Sequence, residues 1–335
     1  MVVTMNHPKD PEPRLRIFAG TALDETALER LRRSVAPHEV IVPEQGGSTV
    51  LGVSQEPLEG FDIAFGQPDV ARVLAAKRLQ WVHLTSAGYA RYDTPEFREA
   101  AKARGLIVTN SSSVYDEPCA EQLLAYILAG ARQLPQTLGV RCEHRSAQWR
   151  QLRAGCESLR GQSVVLLGYG AIARRLAEML APLGMKLAAL RRHPRGDETV
   201  PMLSPDELPA AFAGADHLVN ILPENAATRH FLDAQRLGWL KPGASLYNIG
   251  RGTTVDQEAL AEALRSGRLG AAWLDVTEPE PLPEGHPLLA LENCFITPHI
   301  GGGHRREFES LVAHFVRNFG HFLKTGASDL ADRIL

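Results

Sequence analysis

Apolar and polar positions along this chain follow two rhythms that take turns. Short runs of β-favouring residues are each followed by a stretch with apolar residues at helical spacing, and the pair repeats from Leu15 onward. In the first series the strand-like runs are Leu15–Ala19, Val40–Val42, Phe61–Phe65, Leu79–Leu84 and Leu106–Thr109. Helices are predicted from an Asp24 cap to about Val35, near Pro68–Ala76 and over Pro95–Arg104. Glu117–Ala131 reads as a long apolar helix without a strand partner, and the polar, basic stretch from Gln133 to Gln162 contains an isolated Trp149 and no strand. A second series opens at Ser163. Its six predicted strands are Val164–Leu167, Lys186–Leu190, His217–Leu222, Ser245–Ile249, Ala271–Val276 and Cys294–Thr297. Asp256 caps one connecting helix and Gly267 ends it, while Arg305–Leu323 reads as an amphipathic helix that crosses back to the first series. Alternation of this kind predicts mostly parallel sheets covered by helices.

Composition narrows the picture. A length of 335 residues exceeds one ordinary core, so two domains are expected, and 44% hydrophobic with 22% charged residues describes a soluble globular chain. A formal net charge of −3 argues against a nucleic-acid partner, which would call for a basic stripe. Cys119, Cys142, Cys156 and Cys294 are scattered without metal-ligand spacing, as free thiols of a reducing compartment would be. No apolar run approaches the ~18 residues a membrane span needs. Met1–Arg14 is polar, lacks the apolar core of a signal peptide and is expected to be a loose tail, so a cytoplasmic location is expected.

The most informative local motif is Gly168-Tyr169-Gly170-Ala171-Ile172-Ala173, which follows the apolar run Val164–Leu167 and opens a helix expected to reach Leu183. Strand, glycine turn and helix in that order are the setting of a dinucleotide fingerprint. Gly168 suits the tight turn, Gly170 lets backbone approach a pyrophosphate, and Ala173 is small enough for close helix–strand packing. The N–H groups that open the helix would face the phosphates. Three further segments fall at strand ends, where a doubly wound sheet places its ligands: Asn248-Ile249-Gly250-Arg251-Gly252, Asp275-Val276-Thr277-Glu278-Pro279-Glu280-Pro281 and Thr297-Pro298-His299-Ile300-Gly301-Gly302. A guanidinium, a carboxylate and an imidazole thus converge on one edge. Histidine titrates near neutral pH, a neighbouring carboxylate favours its protonated form, and arginine offers a planar fork for a carboxylate or carbonyl.

In this order of motifs the chain resembles the D-isomer-specific 2-hydroxyacid dehydrogenase family, from about Arg14 to the C-terminus. The resemblance implies an α/β fold of two doubly wound domains. A Rossmann dinucleotide-binding domain would span 115–304, and a discontinuous flavodoxin-like substrate domain would combine 1–114 with 305–335, the active site lying in the cleft between them. It implies catalytic roles for Arg251, Glu280 and His299, and nicotinamide contact by Asp275. Gly168, Tyr169, Gly170, Ala171 and Ile172 would bind the dinucleotide. Thr85-Ser86-Ala87-Gly88-Tyr89 resembles the family's carboxylate-binding loop, so Ser86, Ala87 and Gly88 would join Arg251 and His299 in holding the substrate. The family often continues with Gly-x-Asp, whereas this chain reads Gly88-Tyr89-Ala90-Arg91-Tyr92-Asp93, which leaves open whether Tyr89 or Arg91 faces the substrate.

The expected activity is hydride transfer between NADPH or NADH and a small 2-oxoacid such as glyoxylate or hydroxypyruvate, giving the D-2-hydroxyacid. Where NAD-dependent relatives carry an acidic residue after the second strand, this chain has Leu190-Arg191-Arg192-His193-Pro194-Arg195. Arg191 and Arg192 would accommodate a 2′-phosphate with no carboxylate nearby, so NADP is the expected cofactor, with NAD as the other choice. Two readings stay open beside this one: a dinucleotide-sensing, corepressor-like binding protein, and a phosphoglycerate dehydrogenase-like enzyme. Glu280 speaks against formate dehydrogenase, where glutamine takes that place. The 117–160 region resembles the family's dimerisation region and implies a homodimer; no membrane partner is expected.

Overall fold

In a computed structural model that describes residues 14–43, 52–326 and 328–335, the chain forms two compact units. One lies within Met1–Val114 and Arg306–Leu335, the other is Tyr115–Arg305. The tail expected over Met1–Arg14 falls outside the described residues up to position 13.

The first unit carries a five-stranded parallel sheet built from β1 (Arg16–Ala19), β2 (Glu39–Ile41), β3 (Ile63–Gly66), β4 (Trp81–Leu84) and β5 (Ile107–Thr109), in the order β2-β1-β3-β4-β5. That is the flavodoxin-like order. Helices α1 (Glu25–Ser34), α2 (Val70–Ala75) and α3 (Pro95–Arg104) connect the strands. Their ends follow local chemistry. The Asp24 carboxylate accepts from Ala27 N at 2.7 Å, the Thr94 hydroxyl from Phe97 N at 3.2 Å, and Gly105 ends α3 at a φ of +65°. The C-terminal helix, Glu307–Thr325, belongs to this unit and lays Phe315 against Trp81, ring centroids 5.1 Å apart, and against Phe65 at 4.7 Å. Ile334 then donates to Val108 O, which ties the last residues to β5.

The second unit opens within α4 (Ser112–Ala131) and continues with α5 (Leu134–Thr137) and α6 (Ala147–Ala154). Helix α4 begins five residues earlier than the apolar pattern predicts. Its first turn is held by Asn110, which accepts from Ser112 N, and by Asp332, 219 residues further along, which accepts from Ser113 N. The sheet has seven parallel strands: β6 (Ser163–Leu167), β7 (Lys186–Leu190), β8 (Met202–Leu203), β9 (His217–Asn220), β10 (Ala244–Asn248), β11 (Leu269–Leu274) and β12 (Cys294–Ile296), ordered β12-β11-β10-β9-β6-β7-β8. The expected count of six is therefore corrected to seven. Strand β8 is only two residues long, paired with Ala189 and Leu190, and a run that short leaves no periodicity to read. The chain leaves β6 for β7 and β8 on one side and returns as β9 on the other, so the topological switch lies between β6 and β9. Helices α7 (Ala171–Leu180), α8 (Leu208–Gly214), α9 (Ala234–Trp239) and α10 (Gln257–Arg265) cover the faces. The expected helix to Leu183 stays α-helical only to Leu180; its last turn, Ala181–Leu183, tightens to 3-10 geometry before Gly184 at φ +71°. Asp256 caps α10 by accepting from Glu258 N and Ala259 N. Leu166, Leu218 and Leu246 from the three central strands are wholly buried, as strands covered on both faces must be.

Candidate active site

The carboxyl ends of β6, β9, β10, β11 and β12 gather the chemistry of the second unit, and glycines set how closely their loops meet. Gly168 follows β6 at φ +95°, and a Cβ there would stand 3.0 Å from Ile221 O. Gly250 and Gly252 flank Arg251 after β10. A Cβ on Gly250 would meet Leu222 O at 2.6 Å, and one on Gly252 would meet Thr277 O at 2.0 Å. Arg251 is thereby wedged between the loops that follow β9 and β11. Beneath it lies a buried amide network. Asn220 Nδ2 donates to Asn248 Oδ1 and Thr254 Oγ1, Asn248 Oδ1 also accepts from Gly250 N, and Asn248 Nδ2 donates to Arg251 O. Arg251 NH1 donates to Gly250 O at 2.6 Å, which fixes the plane of the guanidinium.

His299 and Glu280 form a pair, Nδ1 to Oε2 at 2.8 Å, each side chain a little over a third exposed. Glu280 is held from its other oxygen by Thr277 N at 3.0 Å. Gln257 braces the same loop by exchanging two hydrogen bonds with the Glu278 peptide: its amide donates to Glu278 O, and its Oε1 accepts from Glu278 N. The hydrogen bond to Glu280 raises the pKa of His299 against the opposing effects of burial and the Arg251 charge. Burial resists ionisation of Glu280, yet its bond to His299 and the nearby positive charge prevail and lower its pKa. Gly252 packs on Thr277 of the loop that carries Glu280, which sets the Arg251 turn beside the Glu280–His299 pair, and the Arg251 charge is felt by both partners.

Asp275 is 2% exposed and anchors the turn that carries His299. Its Oδ1 accepts from Thr297 Oγ1 and Ile300 N, its Oδ2 from Gly301 N, and its carbonyl from His299 N. Thr297 is also bonded to Tyr126 OH of α4. Asn220, Gln257 and Tyr126 escaped the sequence reading, and Thr297 entered it only as the first residue of the His299 segment, without a role. Asn220 left one signal, a polar residue closing an apolar strand; Gln257 and Tyr126 left none.

The dinucleotide motif fits a nucleotide phosphate. Gly170 is the N-cap of α7 without a side-chain cap, and a Cβ there would meet nothing within 4 Å, so the protein's own packing does not demand glycine. Ala171 and Ile172 are partly buried in the first turn, and Ala173 is fully buried against the sheet. Those first-turn N–H groups are the donors a pyrophosphate uses. Tyr169 is 3% exposed and its hydroxyl is bonded to Thr199 Oγ1 at 2.7 Å, so its side chain is occupied within the protein.

The expectation that no carboxylate stands near Arg191 is corrected. Glu198 folds back onto it, Oε1 to NH1 at 2.9 Å, because Gly196 at φ +83° reverses the loop within the six residues between them. Arg192 is exposed.

In the first unit, Ser86, Ala87 and Gly88 form the turn after β4. Ser86 O accepts from Ser111 N, Ala87 O from Asn110 Nδ2 at 2.7 Å and Gly88 O from Ser86 Oγ. Peptide planarity then aims the N–H groups of Ala87, Gly88 and Tyr89 the other way. Tyr89 packs on the hydrophobic core of this unit, and Arg91 is exposed. Among the described residues there is no cluster of His, Cys, Asp and Glu fit to hold a metal, and no helix is long and apolar enough to cross a membrane.

A doubly wound sheet with a phosphate-ready glycine turn, and an Arg–His–Glu constellation on the neighbouring strand ends, defines a nicotinamide-dependent dehydrogenase. Residues 124–301 match the family model of the D-isomer specific 2-hydroxyacid dehydrogenase NAD binding domain. The chain is 34% identical over 268 residues to a glyoxylate reductase of Aeropyrum pernix, covering 77% of each chain. It is 32% identical over 270 residues to glyoxylate/hydroxypyruvate reductase B of Pectobacterium atrosepticum, covering 78% of this chain and 81% of that one. Among solved structures, the NADPH-dependent glyoxylate/hydroxypyruvate reductase of Sinorhizobium meliloti, in complex with NADP and malonate, aligns over 96% of this chain and 97% of its own with a TM-score of 0.71 and 29% identity. This chain belongs to the D-isomer specific 2-hydroxyacid dehydrogenase family, and it is an NAD(P)-dependent oxidoreductase of that class.

Proposed function

We propose that the protein reduces a small 2-oxoacid of the glyoxylate or hydroxypyruvate type to the 2-hydroxyacid, with NADPH as the preferred reductant. The observation that carries this reading is the 2.8 Å Glu280–His299 pair beside Arg251, on strand ends adjoining the glycine turn. The nicotinamide cofactor, when bound, supplies the hydride. Glu280 holds Nδ1 of the imidazole, so Nε2 is the nitrogen that gives its proton to the keto oxygen. Arg251 grips the substrate carboxylate or polarises the carbonyl, its plane fixed by Gly250 O. Asp275 keeps the His299 turn in place through its carboxylate and, in this reading, would lie on the side of the site that a nicotinamide takes. Gly168–Ile172 hold the pyrophosphate through backbone, and Arg191 with Arg192 meets the 2′-phosphate. In this reading the second unit is the dinucleotide-binding domain. The first unit is the substrate domain, its Ser86–Gly88 turn offering N–H groups to a carboxylate.

The test is loss of NADPH absorbance with a panel of 2-oxoacids that includes 3-phosphohydroxypyruvate. Glyoxylate or hydroxypyruvate is expected to be turned over. His299→Ala is expected to lower kcat by about 10²–10⁴-fold, while NADPH affinity stays within about twofold. Preference for the phosphorylated acid would assign the phosphoglycerate reading, and NADPH binding without turnover of any acid would assign the sensor.

We further propose a homodimer through residues 117–160. Leu128, Leu134 and Leu138 of this region are 39%, 42% and 75% exposed, an apolar surface that a second copy would cover. Light scattering at micromolar concentration should return twice the chain mass; a monomer mass would remove the dimer.

A further inference from the structure

The loop that leaves β7 contains an anion cradle, and the chain fills it with its own carboxylate. Glu198 Oε1 accepts from Arg191 NH1 at 2.9 Å and from Arg195 N at 2.8 Å, and Oε2 accepts from Gly196 N at 2.8 Å. The Glu198 side chain is only 5% exposed and that of Arg191 16%. Two successive backbone N–H groups, the second from a left-handed Gly196, together with a guanidinium form a donor set that also suits a phosphate. The cradle is fastened to the dinucleotide motif. Gly168 N donates to Leu190 O at 3.0 Å, Tyr169 OH meets Thr199 Oγ1 at 2.7 Å, and Arg174 reaches Asp197 at 3.2 Å. In a doubly wound domain the adenosine ribose lies at the carboxyl end of the strand after the phosphate helix, which here is where Arg191 stands.

We infer that Glu198 is an internal competitor for the 2′-phosphate of NADPH: its carboxylate sits in the cradle of Arg191, Arg195 N and Gly196 N, and the phosphate must displace it. The inference rests on the NADPH reading above and adds the residue that limits it. The backbone N–H groups of Arg195 and Gly196 and the Arg191 guanidinium hold the Glu198 carboxyl below the usual carboxylate range, so the competitor is charged at neutral pH. A cradle taken nine-tenths of the time weakens the apparent affinity of the incoming anion by about tenfold. NADH has no 2′-phosphate and has nothing to displace. Glu198 therefore narrows the preference for NADPH that two adjacent arginines would otherwise enforce.

The experiment is a fluorescence titration of the wild type, Glu198→Gln, Glu198→Asp and Arg191→Ala with NADPH and NADH. The probes 2′,5′-ADP and 5′-ADP isolate the 2′-phosphate. Glu198→Gln is expected to bind NADPH and 2′,5′-ADP about tenfold tighter, with NADH and 5′-ADP changed by no more than about twofold. Glu198→Asp, which keeps the charge but draws it back by one methylene, is expected to move the same way by less, and it carries the test should the glutamine variant not fold. Unchanged or weaker NADPH binding in both variants overturns the inference, because Glu198 would then be a strut that holds Arg191 in place. The NADPH reading fails by a different result: wild type binding 2′,5′-ADP no tighter than 5′-ADP, with Arg191→Ala leaving that ratio unmoved.

Discussion

His299 holds a backbone φ of +53°, a left-handed conformation that costs a residue bearing a Cβ about 1–2 kcal/mol. The neighbouring turn sustains it: His299 N donates to Asp275 O, and Ile300 N and Gly301 N bind the Asp275 carboxylate. In this geometry Nδ1 meets Glu280. Arg251 is positioned by close packing as well as by bonds: the missing side chains of Gly250 and Gly252 let the neighbouring loops close around it, while Gly250 O and Asn248 hold its guanidinium and its carbonyl. Gly252→Ala would drive a Cβ to 2.0 Å from Thr277 O and force the Arg251 and Glu280 loops apart. We expect kcat/KM for the oxoacid to fall by about 10²-fold, as a small misplacement of reacting groups allows, and NADPH affinity to change far less. Steady-state kinetics with a parallel cofactor titration checks it, and near-wild-type kcat/KM would mean that the loops yield without consequence. Arg251, Glu280 and His299 were legible in the sequence because each is a polar residue just after an apolar strand, in a turn rich in glycine or proline. Their supports were not. Tyr126 meets Thr297 from 171 residues away, and Asn220 meets Asn248 across a 28-residue gap, distances that no local pattern encodes.

Among the elements, α10 does more than cover a sheet face. Asp256 caps it, and the next residue, Gln257, turns its amide back to the Glu278 peptide, so the helix start positions the loop that presents Glu280. Gln257→Leu removes both bonds and should loosen Glu280 against His299. We expect kcat to fall about tenfold, the effect of losing roughly 1.4 kcal/mol of positioning, and the pH above which reduction fails to move downward. A lower thermal midpoint with an unmoved pH profile would assign Gln257 to stability alone. Elements marked by an apolar run, such as β6 and β10, or by clear caps, such as α3, could be read from the chain directly. Strand β8 could not, since two residues carry no period. The first turn of α4 could not either, because its anchor, Asp332, lies at the far end of the sequence.

At the scale of the whole molecule, stability should depend on pH through a histidine remote from the catalytic strand ends. His217 opens β9, is 6% exposed, and bonds Tyr247 OH through Nδ1 and Gln162 Oε1 through Nε2. Burial, with Lys241 adding to it and Asp216 opposing it, pushes its pKa from 6.5 down to about 4. The unfolded chain takes up this proton as pH falls below the ordinary histidine range, whereas the folded chain refuses it until about pH 4. The contribution is therefore intact at neutral pH and is lost as pH drops through that window, by at most about 3 kcal/mol. Urea unfolding of the wild type should show a falling midpoint between neutral pH and pH 4.5, and His217→Gln should flatten it; an unchanged slope would place the acid sensitivity elsewhere. The division into two doubly wound sheets was foreshadowed by two alternating series separated by a long apolar helix. The loop chemistry around Arg191 was not, because a carboxylate seven residues away reaches it only through the left-handed turn at Gly196. The central claim is that protonated His299, sustained by Glu280, gives the proton in oxoacid reduction. It is tested most directly by the pH dependence of kcat/KM for the wild type and Glu280→Gln. Because His299 is raised above its ordinary value by the bond to Glu280, wild-type activity should fall as pH rises through a folded pKa that lies above the ordinary histidine value. In Glu280→Gln that descending limb should move to lower pH; a limb that stays where it was, or a flat profile in both proteins, would contradict the account.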